Sequence, residues 1–104
     1  MYEKLFQNWV VNKPYINQIY FFGSHVTGIS SKTGLPPTSE SDLDVAIDYD
    51  AMPGDESSFV TWVGQFKKWE EELEGLLGPE SPKPRLTQFN TVRLNPHLHL
   101  VYRR

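Results

Sequence analysis

The chain has 104 residues, with 13 Asp and Glu against 10 Lys and Arg and a formal net charge of −3. That length suits one domain over residues 1–104, with a single modest core and no room for a separate acceptor-binding domain. The acidic balance argues against a nucleic-acid partner held by phosphate neutralisation, and zero cysteines exclude disulfides and thiolate zinc sites.

Tyr2, Leu5, Phe6, Trp9 and Val10 recur at helical spacing, which predicts a first helix over Tyr2 to Val11, ended by Asn12-Lys13-Pro14. The same opening residues lack the apolar core of a secretory signal, and no run reaches the roughly 20 apolar residues of a membrane span. A soluble, cytoplasmic protein is therefore expected. Asn17 to Phe22 reads as a strand rich in aromatic and β-branched residues, and a short helix is expected from Ser24 to Ile29. Residues Ser30 to Ser39 are loop-forming. Asp42 to Asp48 reads as the second strand, followed by a polar turn with Pro53-Gly54.

Phe59, Trp62, Val63, Phe66, Trp69, Leu73, Leu76 and Leu77 trace one stripe of a long helix that Gly78-Pro79 stops. Its Glu-rich run, Glu70-Glu71-Glu72 and Glu74, reads as a solvated face. Arg85 to Leu94 and His97 to Tyr102 then read as two strands parted by Asn95-Pro96. The fold class expected is α+β: a small mixed sheet with the two helices packed on one face and an acidic face left open.

Two features carry chemistry. The turn Gly23-Ser24 closes the strand Ile19-Tyr20-Phe21-Phe22, and glycine there permits a tight backbone and close approach of a ligand. Downstream, Asp42-Leu43-Asp44-Val45 puts two carboxylates on one face of a strand, about 7 Å apart at a rise of roughly 3.3 Å per residue. Like charges so placed repel, and a hard divalent cation with oxygen ligands relieves that. Each feature alone has a plainer reading, as an ordinary turn and as a solvated acidic pair. In this order they suggest a short βαβ-like unit that holds a metal-bound nucleoside triphosphate.

Phe22-Gly23-Ser24, a spacer, then Asp42-Leu43-Asp44-Val45 resembles the signature of the nucleotidyltransferase superfamily that includes DNA polymerase beta, in its minimal branch. The resemblance spans Ile16 to Ile47 most closely. It implies transfer of a nucleoside monophosphate from a nucleoside triphosphate to an acceptor hydroxyl, with Asp42 and Asp44 as ligands of Mg²⁺ or Mn²⁺ and Gly23 and Ser24 as triphosphate contacts. The acceptor would sit on another molecule, a protein partner being one choice. The chain departs from the pattern in three respects. Its spacer is long; His25-Val26-Thr27-Gly28 stands where an Arg-containing helix is usual, leaving Lys32 as the nearby cation; and no acid follows Glu80. The strand around Leu98 to Tyr102 offers His99 where a third carboxylate is expected, as a proton acceptor or a ligand to a softer metal, with His97 beside it. Whether the chain is an enzyme is therefore open. The alternative is a catalytically impaired binding module, antitoxin-like, partnered with a small helical protein; a scaffold without a nucleotide site is a third reading.

Overall fold

The computed structural model describes residues 2–28 and 41–104, so the loop around Lys32 and the end of the second expected helix at Ile29 lie outside the described residues. Helix α1 (Glu3–Trp9) runs into a 3-10 turn, Val10–Asn12, and strand β1 covers Ile16–Phe22. A one-turn helix α2 (Ser24–Thr27) precedes β2 (Leu43–Tyr49), then come the long helix α3 (Ser58–Leu77), β3 (Pro84–Gln88), the one-turn α4 (Phe89–Val92) and β4 (His99–Arg103). The fold is α+β, and its four strands form one mixed sheet in the order β3-β2-β1-β4.

The period-two pattern of β1 and β2 decides which face is buried. In the antiparallel pairing Ile19 lies opposite Ile47 and Phe21 opposite Val45. Those residues and Leu43 are almost wholly removed from water, and Phe6, Trp9, Trp69 and Leu73 of α1 and α3 cover them. Burial of apolar area at roughly 25 cal/mol per Å² makes this the main stabilising term. Asp44, Ala46 and Asp48, facing Phe22, Tyr20 and Gln18 across the pair, lie on the other face. Helices α1 and α3 thus cover one face and leave the acidic one open over much of its area.

The two helices are latched together at Glu72, which accepts the indole N–H of Trp9 at 3.0 Å and pairs with Lys13 Nζ at 3.2 Å. Glu70 accepts the backbone N–H of Leu86 at 2.9 Å, tying α3 to the edge strand β3. Two residues of the Glu-rich run therefore make structural contacts, although the run alone reads as a solvated face. Helix α3 begins where Ser57 Oγ accepts the Val60 N–H at 3.3 Å, and it ends at Gly78, whose φ of 91° takes the chain out of the helix. In the first turn of α3 the buried Thr61 hydroxyl accepts the Met52 N–H at 2.8 Å and donates to Asp55 at 2.6 Å, which organises the Pro53-Gly54 turn. No helix among the described residues is long and apolar enough to cross a membrane.

Three expected connections differ in the structure. β1 and β2 are antiparallel neighbours with α2 in their connection; the parallel pair is β2 with β3, joined through α3. The expected strand Arg85 to Leu94 stops at Gln88, because Phe89 turns onto the open face and stacks on Tyr20 at 5.1 Å, beginning α4. β4 starts at His99, two residues later than expected, since His97 donates its N–H to Asn95 Oδ1 in a turn.

Candidate functional site

Strand pairing sets the geometry of the Gly23 turn. Phe22 lies directly opposite Asp44, so the chain leaving β1 must pass over β2 at that carboxylate. Gly23 makes the passage with φ 80° and ψ −159°, a region open essentially to glycine alone. A methyl group at its Cα would overlap Asp44 Oδ2 and stand 3.2 Å from Cγ. Gly23 then starts α2: its carbonyl accepts the Val26 and Thr27 N–H groups, both at 3.0 Å, and Ser24 O accepts from Gly28 at 2.8 Å. The half-buried Ser24 is the first residue of that turn.

Asp42 immediately precedes β2, and Asp44 is its second residue. Arg85 of β3 is the register partner of Asp44, and its guanidinium stands 3.7 Å from Asp42 Oδ2. Both partners of that ion pair are exposed, so it contributes little to stability. His25 of α2 lies at the same end, with Nε2 3.2 Å from Ser41 O. The structure therefore gathers Gly23, Ser24, Asp42, Asp44, His25 and Arg85 at one end of the open face.

Burial is the largest influence on the Asp44 carboxyl and pushes it above its ordinary value. Asp42 adds to the rise, while Arg85 and His25 pull it back. The folded state thus holds the Asp44 proton more tightly than the unfolded chain does. This contribution favours folding at pH values below the ordinary carboxyl value of 3.8 and is lost as pH rises through the folded value. Asp44→Asn is accordingly expected to stabilise the ligand-free protein at neutral pH, with an advantage that shrinks to nothing in acid. Urea unfolding of both proteins across that range checks the sign.

His99 is not part of this cluster. It pairs with Phe21, on the helix-covered face, and its Nε2 lies 3.4 Å from Glu3 Oε1. It lines a cleft of about 220 Å³ with Glu3, Phe21, Val26 and His25, and His25 is the residue this cleft shares with the cluster. β1 intervenes between β4 and β2, which puts β4 about 10 Å from the aspartates at the usual strand spacing. On the same strand Val101 is buried and Leu100 is exposed.

Asp48 shares the Asp44 face but lies four residues along β2, about 13 Å away at strand rise. Its carboxyl is raised by burial and then by Asp50. Among the described residues no group of three His, Cys, Asp or Glu side chains could hold a metal ion. Asp42 and Asp44 offer hard oxygens that suit one divalent ion sharing its shell with phosphates, without the third carboxylate that the resemblance leads one to expect.

Arg85 and His25 are the site residues that sequence reasoning missed. The alternation of Arg85 and Thr87 around the buried Leu86 was a usable signal for the face of Arg85. Which strand lies beside β2 is a tertiary fact that no local pattern carries. No family model, curated protein or solved structure matches the chain.

Proposed function

We propose that the chain is a minimal nucleotidyltransferase-type domain that binds a nucleoside triphosphate with one Mg²⁺ or Mn²⁺ at the Gly23-Ser24 turn and moves a nucleoside monophosphate to an acceptor hydroxyl, on a partner protein. The observation that carries this reading is the seating of the Cβ-free Gly23 turn against the Asp44 carboxylate. The resemblance of Phe22-Gly23-Ser24 and Asp42-Leu43-Asp44-Val45 to the nucleotidyltransferase superfamily supports it. A cytoplasmic location accords with these substrates.

In this reading Asp42 and Asp44 hold the metal ion together with phosphate oxygens, and the Gly23-Ser24 turn, which the missing Cβ lets lie against Asp44, contacts the phosphates. Ser24 Oγ is the hydroxyl donor to them. A bound divalent ion supplies positive charge at the phosphoryl group in transfer. The acceptor oxygen bonds to the α-phosphorus, the bridging bond to pyrophosphate breaks, and the acceptor proton passes to water. His99, facing the opposite side of the sheet, has no part in this proposal.

A second reading, a catalytically impaired module that binds a helical partner, is favoured by a cation, Arg85, standing beside the aspartates with no group of three metal-capable side chains among the described residues. Incubation with α-labelled ATP, GTP, CTP and UTP, Mg²⁺ or Mn²⁺ and candidate partner proteins tests the two. Transfer predicts label on an acceptor, abolished by the Asp42→Ala, Asp44→Ala double substitution. The absence of label under every condition, with tight partner binding, contradicts transfer and supports the module.

A further inference from the structure

Strand β2 has two neighbours, and only one can furnish a polar side chain next to Asp44. On β1 the opposite residue is Phe22; on β3 the register partner is Arg85. We infer that Arg85 sets the cation capacity of this site, its guanidinium occupying the flank where a second divalent ion would have to sit. This inference rests on the nucleotide reading above and concerns how many metal ions that site takes.

The charges decide the matter. Two carboxylates carry −2, and the guanidinium leaves −1 for a bound cation to meet. One divalent ion already overcompensates this, and a second would sit against a fixed positive group with no third carboxylate among the described residues to draw it in. Asp44 feels both Arg85 and Asp42. At the same time the Arg85 side chain is 70 % exposed and meets Asp42 at the long distance of 3.7 Å, so it can be replaced without opening the core.

The test is binding of Mn²⁺ alone to the nucleotide-free chain, with free ion counted by electron paramagnetic resonance and its position read from amide broadening. The wild type is expected to take at most one ion, with broadening centred on Gly23, Asp42 and Asp44. Arg85→Met, which keeps the aliphatic stem and removes the charge, is expected to bind Mn²⁺ about threefold more tightly, the size of effect that an exposed, solvent-screened charge exerts. Arg85→Asp is expected to take a second ion. Arg85→Met by itself decides the question should Arg85→Asp fail to fold. Wild-type uptake of two ions, or an affinity unchanged in Arg85→Met, overturns the inference. In either case Mn²⁺ broadening at Gly23 and Asp44 leaves the nucleotide site standing, so the two failures are distinguishable. Absence of Mn²⁺ binding in every variant overturns the inference, and the nucleotide reading is then judged on nucleotide binding alone.

Discussion

Gly23→Ala is expected to destabilise the folded protein by about 2–6 kcal/mol and to abolish ligand binding at the open face. Two costs add. A non-glycine residue at φ 80°, ψ −159° stores roughly 1–3 kcal/mol of backbone strain, and the new methyl group must also displace the Asp44 carboxylate, an overpacking cost of similar size. A double-substitution cycle separates them. In an Asp44→Ala background the overlap is gone while the strain remains, so Gly23→Ala should cost less there by at least about 0.5 kcal/mol. Denaturant unfolding of the four proteins measures this coupling. Equal costs in both backgrounds would mean that turn and carboxylate are not in contact.

Trp69→Ala is expected to cost about 3–5 kcal/mol, enough to remove much of the 5–15 kcal/mol by which domains of this size are stable. Trp69 is 1 % exposed and meets Trp9 and Trp62 edge-on, each at 6.2 Å, stacks with Tyr15 at 6.0 Å and meets Tyr49 edge-on at 6.0 Å. Its loss opens a cavity where α1, α3 and the sheet converge. At about 4 °C or more per kcal/mol, a thermal melt should fall by roughly 12 °C or more; a shift of only a few degrees would place the core elsewhere. Because Trp69 lies on the helix-covered face, its substitution should perturb ligand binding only through stability, whereas Gly23→Ala should abolish binding even under conditions where the protein stays folded.

These two residues also mark how far the sequence could be read. The alternation Leu43, Val45, Ile47 against Asp42, Asp44 is a local pattern, and the buried and open faces follow from it directly. The helical stripe through Trp69 and Leu73 was legible for the same reason. Its outer members were not: Phe59, Val63 and Leu76 are exposed. The Gly23 turn was legible as a turn, but its contact with Asp44 follows from the Phe22–Asp44 register, which two strands decide together. His99 illustrates the opposite case. Its strand was recognisable, yet the bulge opposite Ile19 and Tyr20 and the placement of β4 beyond β1 turn it toward Glu3. Arg85 was hidden for the same reason, since β3 pairs with β2 in parallel only after α3 has crossed the sheet.

The most direct test of the central claim, that the Gly23 turn and the aspartate pair form one metal-nucleotide site, is titration of the ¹⁵N-labelled chain with Mg²⁺-ATP while its amide signals are followed. The account expects shifts concentrated at Gly23, Ser24, Asp42, Asp44 and Arg85 that saturate, and that vanish in the Asp42→Ala, Asp44→Ala chain. Shifts that are absent, or that gather instead at the Glu3–His99 cleft on the opposite face, would contradict it.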